Sequence, residues 1–199
     1  MHPDPRFRIN DEAVMRAVVL REGMVHLFAA TPAGPMVAHV PVTMTDEGHF
    51  RFHLARSNRI APHLNGARVL ASVMGPHGYI SPDWYADGRN QVPTWNYITV
   101  EIDGTVVELD RDALIEQIET LADHYEAKLA PKPAWTIAAV DPVLRDKMLD
   151  ALCVFELGVE AIRGTAKLNQ NKSDADRAGV RAGLNAQNNP ALAAMMVSS

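Results

Sequence analysis

The sequence predicts an α+β fold in which a small β-barrel of antiparallel strands carries peripheral helices. Short segments with strand-like alternation of apolar and polar residues follow one another closely between residues 24 and 109. Turn-forming residues separate these segments, and only a few stretches have helical periodicity. The 199 residues contain no internal repeat and no linker long enough to separate two domains. We therefore expect a single domain over 1–199, with a polar helical C-terminal extension over about 173–199.

The first half of the chain is predicted to be one helix followed by strands. Asn10 is the expected N-cap of the helix, and Gly23 is expected to end it. The dipeptide Asp103-Gly104 predicts a tight hairpin between the last two strands. The predicted strands cover residues 24–30, 36–43, 49–55, 68–74, 94–102 and 105–109.

The second half is predicted to be mainly helical, with one further strand. Asp110 is the expected cap of an amphipathic helix over 113–128, and Asp141-Pro142 opens a short helix to about residue 150. A strand is expected over 152–162. Ser173 then resembles the first residue of a capping box and predicts a polar helix to about residue 184.

Composition and charge exclude several function classes. Lys and Arg total 19 against 24 Asp and Glu, a formal net charge of −5. A large DNA-binding footprint would need a basic stripe, so this balance disfavours direct DNA contact. The first residues contain no apolar signal region, and no run approaches the roughly 18 apolar residues of a membrane span. We expect a cytoplasmic protein that does not bind a membrane.

Cysteine and histidine usage predicts neither a disulfide nor a metal site. The single cysteine, Cys153, lies in an apolar run and is expected to be a buried core thiol. His49 and His53 are four residues apart, but on a strand that spacing separates them by about 13 Å. No other spacing of histidines or cysteines matches a metal-binding motif, so we expect no metal.

An aromatic stretch over 75–97 contains two of the three Trp and three of the four Tyr residues. From Thr94 onward the chain alternates, which places aliphatic residues such as Ile98 on one face and Trp95 and Tyr97 on the other. Large aromatics on the face away from the core predict that a planar ligand or a second subunit covers them.

Two further segments have features of a binding site. Pro41 cannot donate to a strand ladder, so its strand is predicted to be an edge, to be bulged, or to face a ligand there. The next strand ends in the turn from Arg56 to Arg59, which is either a phosphate site or a solvated basic turn. Residues 167–173 are a polar surface turn or a clamp over a neighbouring site.

Together these segments resemble the PaiB-like FMN-binding family, many members of which carry the label "negative transcriptional regulator". The motifs are HVPVT (39–43), HLARSN (53–58), GPHGYISPDWY (75–85), VPTWNY (92–97) and KLNQNKS (167–173). The resemblance implies an FMN-binding split β-barrel related to pyridoxamine-phosphate oxidase and flavin reductases. It also implies a homodimer with noncovalently bound FMN at the subunit interface.

The resemblance further implies which residues bind FMN. The strand 39–43 would face the isoalloxazine ring, residues 53–59 would hold the ribityl phosphate, and 95–97 would line the ring or the partner. Residues of 167–171 would approach from the last strand of either subunit. No catalytic residue is implied. The cofactor-binding residues carried over are His39, Val40, Pro41, Thr43, His53, Leu54, Ala55, Arg56, Ser57, Asn58, Arg59, Trp95, Asn96, Tyr97, Lys167, Gln170 and Asn171.

Three functions remain open at this point. The family label implies a negative transcriptional regulator, whereas a bound flavin also suits an FMN-dependent oxidoreductase or flavin reductase. The third is an interaction module that retains the barrel without flavin. The sequence does not name a substrate, an electron donor or a partner. The loop 86–91 is longer than the family pattern suggests, and its role stays open.

Overall fold

The computed structural model describes residues 1–196, which form seven strands and five α-helices. The strands are β1 (Arg8–Ile9), β2 (Met24–Thr31), β3 (Gly34–Met44), β4 (Phe50–Ala55), β5 (Arg68–Ile80), β6 (Thr94–Glu108) and β7 (Leu152–Lys167). The helices are α1 (Glu12–Glu22), α2 (Arg111–Glu126), α3 (Pro142–Asp150), α4 (Asp174–Ala186) and α5 (Pro190–Met195). The last residues of the predicted C-terminal extension, 197–199, lie outside the described residues.

The chain divides into two compact units. The first unit contains Met1–Val18, Val73–Glu101 and the residues from Ile162 onward, and the second contains Val19–Ser72 and Ile102–Ala161. Strands β5, β6 and β7 contribute residues to both. That the whole chain behaves as a single domain stays a prediction.

The strands form one sheet in the order β1-β7-β4-β3-β2-β5-β6. β6 also pairs with β7, which closes a ring of six strands. β2 pairs antiparallel with both β3 and β5, and β4 pairs antiparallel with both β3 and β7. Alternate residues of these strands, such as Leu27, Phe50 and Phe52, are fully buried, as the period of two predicts.

The hairpin predicted at Asp103-Gly104 is wrong, because β6 continues without interruption from Thr94 to Glu108. Gly104 instead lies against β7, where a Cβ would come within 1.9 Å of the Gly158 carbonyl oxygen. The glycine is needed for close approach of two strands and not for a turn.

The predicted first residues of most helices are confirmed by N-cap hydrogen bonds. The side chains of Asp110, Asp141 and Ser173 each accept a hydrogen bond from the first turn of α2, α3 and α4. The prediction for α1 is displaced by one residue, because Asp11 and not Asn10 accepts the bond from the Ala13 N–H, at 2.8 Å. Within residues 1–196, no helix is both long enough and apolar enough to cross a membrane.

In the first unit, the C-terminal helices pack against part of the aromatic stretch. Tyr85 is buried in a cluster with Val180 and Leu184 of α4 and Leu192 of α5. Trp84 packs on the edge of this cluster. The helical extension therefore covers Trp84 and Tyr85, two aromatic side chains of the stretch 75–97.

Candidate functional site

The predicted FMN-binding residues fall into two groups, one in each unit. Those of 39–59 belong to the second unit, and those of 95–97 and 167–171 belong to the first.

In the second unit, the pairing between strands β3 and β4 ends next to Pro41. They pair only through Val42–Phe52, Thr43–Arg51 and Met44–Phe50. Past this point β4 continues to pair with β7 on its other side. Because proline has no N–H to donate, the β3 edge there lacks a strand partner, and its backbone groups can meet a ligand.

His53 lies on β4 just beyond the point where the strands part. Its Nδ1 atom is buried and has no hydrogen-bond partner within residues 1–196. Burial lowers the pKa of His53 below its ordinary value, because the charged form loses hydration. Burial therefore favours the neutral imidazole, in which one ring nitrogen donates and the other accepts a hydrogen bond.

The turn after β4 is held by two of its four polar side chains. Arg56 donates to the Leu152 carbonyl oxygen at 2.9 Å, and Asn58 Oδ1 accepts from the Ile60 N–H at 3.2 Å. Ser57 and Arg59 are exposed, and their side chains make no hydrogen bond or ion pair in the described part of the chain. These two side chains are therefore the ones that this turn offers to a ligand.

The other predicted residues of this group differ in the solvent exposure of their side chains. His39 and Ala55 are exposed, whereas the side chains of Val40 and Leu54 are buried in the core. Val40 and Leu54 can therefore meet a ligand only through their backbones. Their roles in FMN binding stay predictions.

Thr43 has a partner that sequence reasoning missed. Its hydroxyl donates to Oε1 of Gln117 on α2, and Gln117 is only 1% exposed. The Gln117 Nε2 donor has no partner within residues 1–196. A cleft of about 350 Å³ adjoins this pair and is also lined by Arg51 and Glu116. A polar residue on the buried side of α2, three positions after Leu114, was the available signal.

A second cleft, of about 380 Å³, adjoins Arg56. Its walls include Leu109, Leu149 and Cys153, with Arg111 at the opening of α2. Cys153 is buried, as predicted, and burial raises the pKa of its thiol. Burial thus disfavours the thiolate, the form that reacts as a nucleophile.

In the first unit, Trp95 is the centre of an exposed aromatic face. Its ring stacks on His77 at 5.9 Å between centroids and meets Tyr79 edge-on at 6.4 Å. Trp95, Tyr79 and Met74 are 48%, 50% and 49% exposed. Unlike Trp84, these side chains are not covered by the C-terminal helices.

Lys167 is held beside Trp95. Its Nζ donates to the Trp95 carbonyl oxygen at 3.1 Å and to the Thr94 hydroxyl. Burial lowers the pKa of Lys167. The ammonium thus braces the start of β6, next to the exposed aromatic face.

The remaining residues of this group have partners within the first unit or none. Asn96 is fully buried, with its Nδ2 3.8 Å from the Met196 sulfur, as the predicted alternation requires. Gln170 bonds within its own turn, to the Ala166 carbonyl oxygen at 2.5 Å. Asn171 is exposed and Tyr97 is half-buried. Their predicted contacts with FMN stay predictions.

Comparison with known sequences identifies similar proteins. A family model described as "Putative FMN-binding domain" matches residues 1–161. The chain is also similar to "Protease synthase and sporulation protein PAI 2" of Bacillus subtilis, with 31% identity over 160 residues. That match covers 78% of this chain and 75% of the relative.

Solved structures share the fold. The FAD and heme binding protein from Mycobacterium smegmatis superimposes with a TM-score of 0.63 at 14% identity, covering 86% of this chain and 78% of that one. The flavocytochrome Anf3 from Azotobacter vinelandii also gives a TM-score of 0.63 at 14% identity, covering 89% of this chain and 78% of that one. These similarities, with the closed antiparallel sheet, confirm the predicted α+β split barrel.

Proposed function

Since this chain belongs to the FMN-binding domain family, with FMN as its cofactor, we propose that it is a homodimer that holds FMN at its subunit interface and acts as a negative transcriptional regulator. The family predicted from the sequence motifs is the family that the matches give.

The turn after β4 carries the proposal for the FMN phosphate. Ser57 supplies a hydroxyl and Arg59 a guanidinium, and both are exposed without a partner within residues 1–196. Charge-assisted bonds from a guanidinium to a phosphate are among the strongest that a surface site can make. This pair of uncommitted donors is the observation that supports the site best.

The backbone groups left unpaired where β3 separates from β4 at Pro41 suit the isoalloxazine ring. The polar edge of that ring needs donors and acceptors, and the unpaired β3 edge offers backbone groups. The buried Nδ1 of His53 is a polar atom without a partner that a bound ring would satisfy. When bound, FMN supplies one-electron and two-electron redox chemistry, and the protein orients the ring and limits its contact with water.

The exposed aromatic face around Trp95 supports a homodimer. Trp95 and Tyr79 lie in contact and leave large apolar surfaces in water, and such patches mark interaction sites. We expect Trp95→Ser to convert a dimer into a monomer in sedimentation equilibrium. The exposed Val92→Ser is the matched control and should leave the dimer intact. A native protein that sediments as a monomer would refute this part of the proposal.

The Bacillus subtilis relative supports a regulatory role, and the net charge of the chain disfavours direct binding to DNA. The Bacillus subtilis relative is named "Protease synthase and sporulation protein PAI 2", and a sporulation protein favours control of a cellular programme over metabolism. The net charge of −5 disfavours direct contact with DNA phosphates. We therefore propose repression through a protein partner.

FMN titration tests the phosphate site. Arg59→Ala should weaken FMN binding by about tenfold or more, because a hydrogen bond to a charged group contributes roughly 1.5–3 kcal/mol. Ser57→Ala should weaken it less. Arg68→Ala removes an exposed arginine elsewhere in the second unit and should leave the affinity for FMN unchanged. Unchanged affinity in both turn variants would place the phosphate at another site.

Transcript measurements in the native host test regulation. Deletion of the gene should raise a set of transcripts, and replacement of the native protein by Arg59→Ala should raise the same set if repression needs bound FMN. Arg68→Ala should behave as the native protein. A deletion strain with unchanged transcripts would contradict a regulatory role.

A second candidate is an FMN-dependent oxidoreductase, and the same aromatic face favours it. An exposed Trp95 ring, with Tyr79 beside it, offers a stacking surface for a planar electron donor. Anaerobic mixing of the FMN-loaded protein with NADH or NADPH should then bleach the flavin absorbance. No bleaching with either donor, together with dimer loss in Trp95→Ser, would favour the regulator over a reductase.

A further inference from the structure

We propose that His26 and His39 form a surface site for a Cu²⁺ ion. The two residues are thirteen positions apart in sequence, but β2 and β3 place them directly opposite each other. Their Nδ1 atoms are 2.7 Å apart, their rings are nearly perpendicular, and both side chains are exposed. Spacing along the chain gives no sign of this pair.

The distance between the two nitrogens favours a square arrangement around a metal. Two ligands on neighbouring corners of a square, each at roughly 2.0 Å from the ion, lie about 2.8 Å apart, whereas tetrahedral ligands lie about 3.3 Å apart. Square-planar or tetragonal coordination by imidazole is typical of Cu²⁺ and Ni²⁺, and Cu²⁺ binds more tightly. The observed 2.7 Å is the length of the hydrogen bond that the two imidazoles share, and it is nearer to the square spacing than to the tetrahedral one.

The surroundings of the pair do not oppose a cation. The residues that share this face on the three paired strands include Met24, Phe28, Leu70 and Ser72, with Val37 and Pro41 on β3. None of these side chains carries a charge. A dication would thus replace the shared hydrogen bond without meeting electrostatic repulsion.

Only two protein ligands are available. Among residues 1–196, no three His, Cys, Asp or Glu side chains lie close enough together to hold a metal ion. Water would therefore fill the remaining corners, which makes the site open and exchangeable. Both imidazoles must be neutral with the ring proton on Nε2, so acid should compete with the metal.

Copper titration followed by electron paramagnetic resonance tests the site on the full-length protein. The N-terminal amine and His2 offer a competing nitrogen chelate, so every variant carries His2→Gln. We expect a single tetragonal Cu²⁺ per chain with two coupled nitrogens, and weaker binding of Zn²⁺. His26→Gln and His39→Gln should each lose this signal, and a circular dichroism spectrum checks that each variant is folded.

His124→Gln, which removes an exposed histidine of α2, is the matched control and should keep the signal. The proposal is overturned if the His2→Gln protein binds no Cu²⁺, or if the signal survives in His26→Gln and His39→Gln. Zn²⁺ binding as tight as that of Cu²⁺ would overturn the square geometry.

Discussion

Gly104 on β6 lies directly against the main chain of Gly158 on β7. A Cβ built on Gly104 would be 1.9 Å from the Gly158 carbonyl oxygen and 2.8 Å from a methyl group of Leu157. Backbone oxygen cannot move aside as a flexible side chain can. The pairing that closes the ring of strands therefore requires the absence of a side chain at position 104.

Gly104→Ala should destabilise the protein by about 1–3 kcal/mol, as overpacking of a tight contact does. Urea unfolding followed by circular dichroism measures the change. Gly158→Ala is the matched control, because its Cβ would meet nothing closer than the Thr105 oxygen at 3.6 Å, an ordinary contact. Equal losses in both variants would mean that the close approach is not the cause.

The same glycine shows where sequence reasoning about the fold stopped. Alternation of apolar residues predicted the strands and even the buried faces, because burial follows a period of two. Asp103-Gly104 has the composition of a turn, and local composition cannot distinguish a turn from a close approach between strands. Only the position of Gly158 on β7, 54 residues further along the chain, decides between them.

Gly183 on α4 should be as intolerant of a side chain as Gly104. A Cβ at position 183 would lie 2.3 Å from the Trp84 ring. In an exposed helix Gly→Ala is stabilising by about 1 kcal/mol, so a lowered melting temperature in Gly183→Ala would isolate the clash. Asn185→Ala, at an exposed position of α4, should not lower the melting temperature. A stabilised Gly183→Ala would show that the helix can shift without cost.

Residue types predicted part of the candidate site, and contacts between distant segments could not be predicted. Ser57 and Arg59 stand out in the sequence because a hydroxyl and a guanidinium follow a strand at a turn. The bond from Thr43 to Gln117 joins positions 74 residues apart, and nothing local in either segment indicates the other. Such pairs depend on how α2 packs, which a single sequence does not reveal.

Thr43 and Gln117 should be energetically coupled. Thr43→Val leaves the Gln117 amide without its partner, and Gln117→Met leaves the Thr43 hydroxyl without its acceptor. Each single change should cost about 1–3 kcal/mol of unfolding free energy. The double variant should cost less than the sum, because both polar groups are then gone. Chemical denaturation of all four proteins measures the coupling, and strictly additive losses would contradict the hydrogen bond.

His53 should make the protein less stable in mild acid. Burial lowers its pKa below 6.5 in the folded state, whereas the unfolded chain keeps the ordinary value of 6.5. Above this pH His53 is neutral in both states and does not change the free energy of unfolding. As the pH falls below 6.5, the unfolded state takes up the proton first, so the free energy of unfolding decreases until the folded-state pKa is reached.

Unfolding free energies measured at about pH 7.5 and about pH 5.5 should therefore differ less in His53→Gln than in the native protein. His124→Gln, at an exposed helical position, should retain the native difference. If His53→Gln loses as much stability on acidification as the native protein does, the acid sensitivity arises from another group.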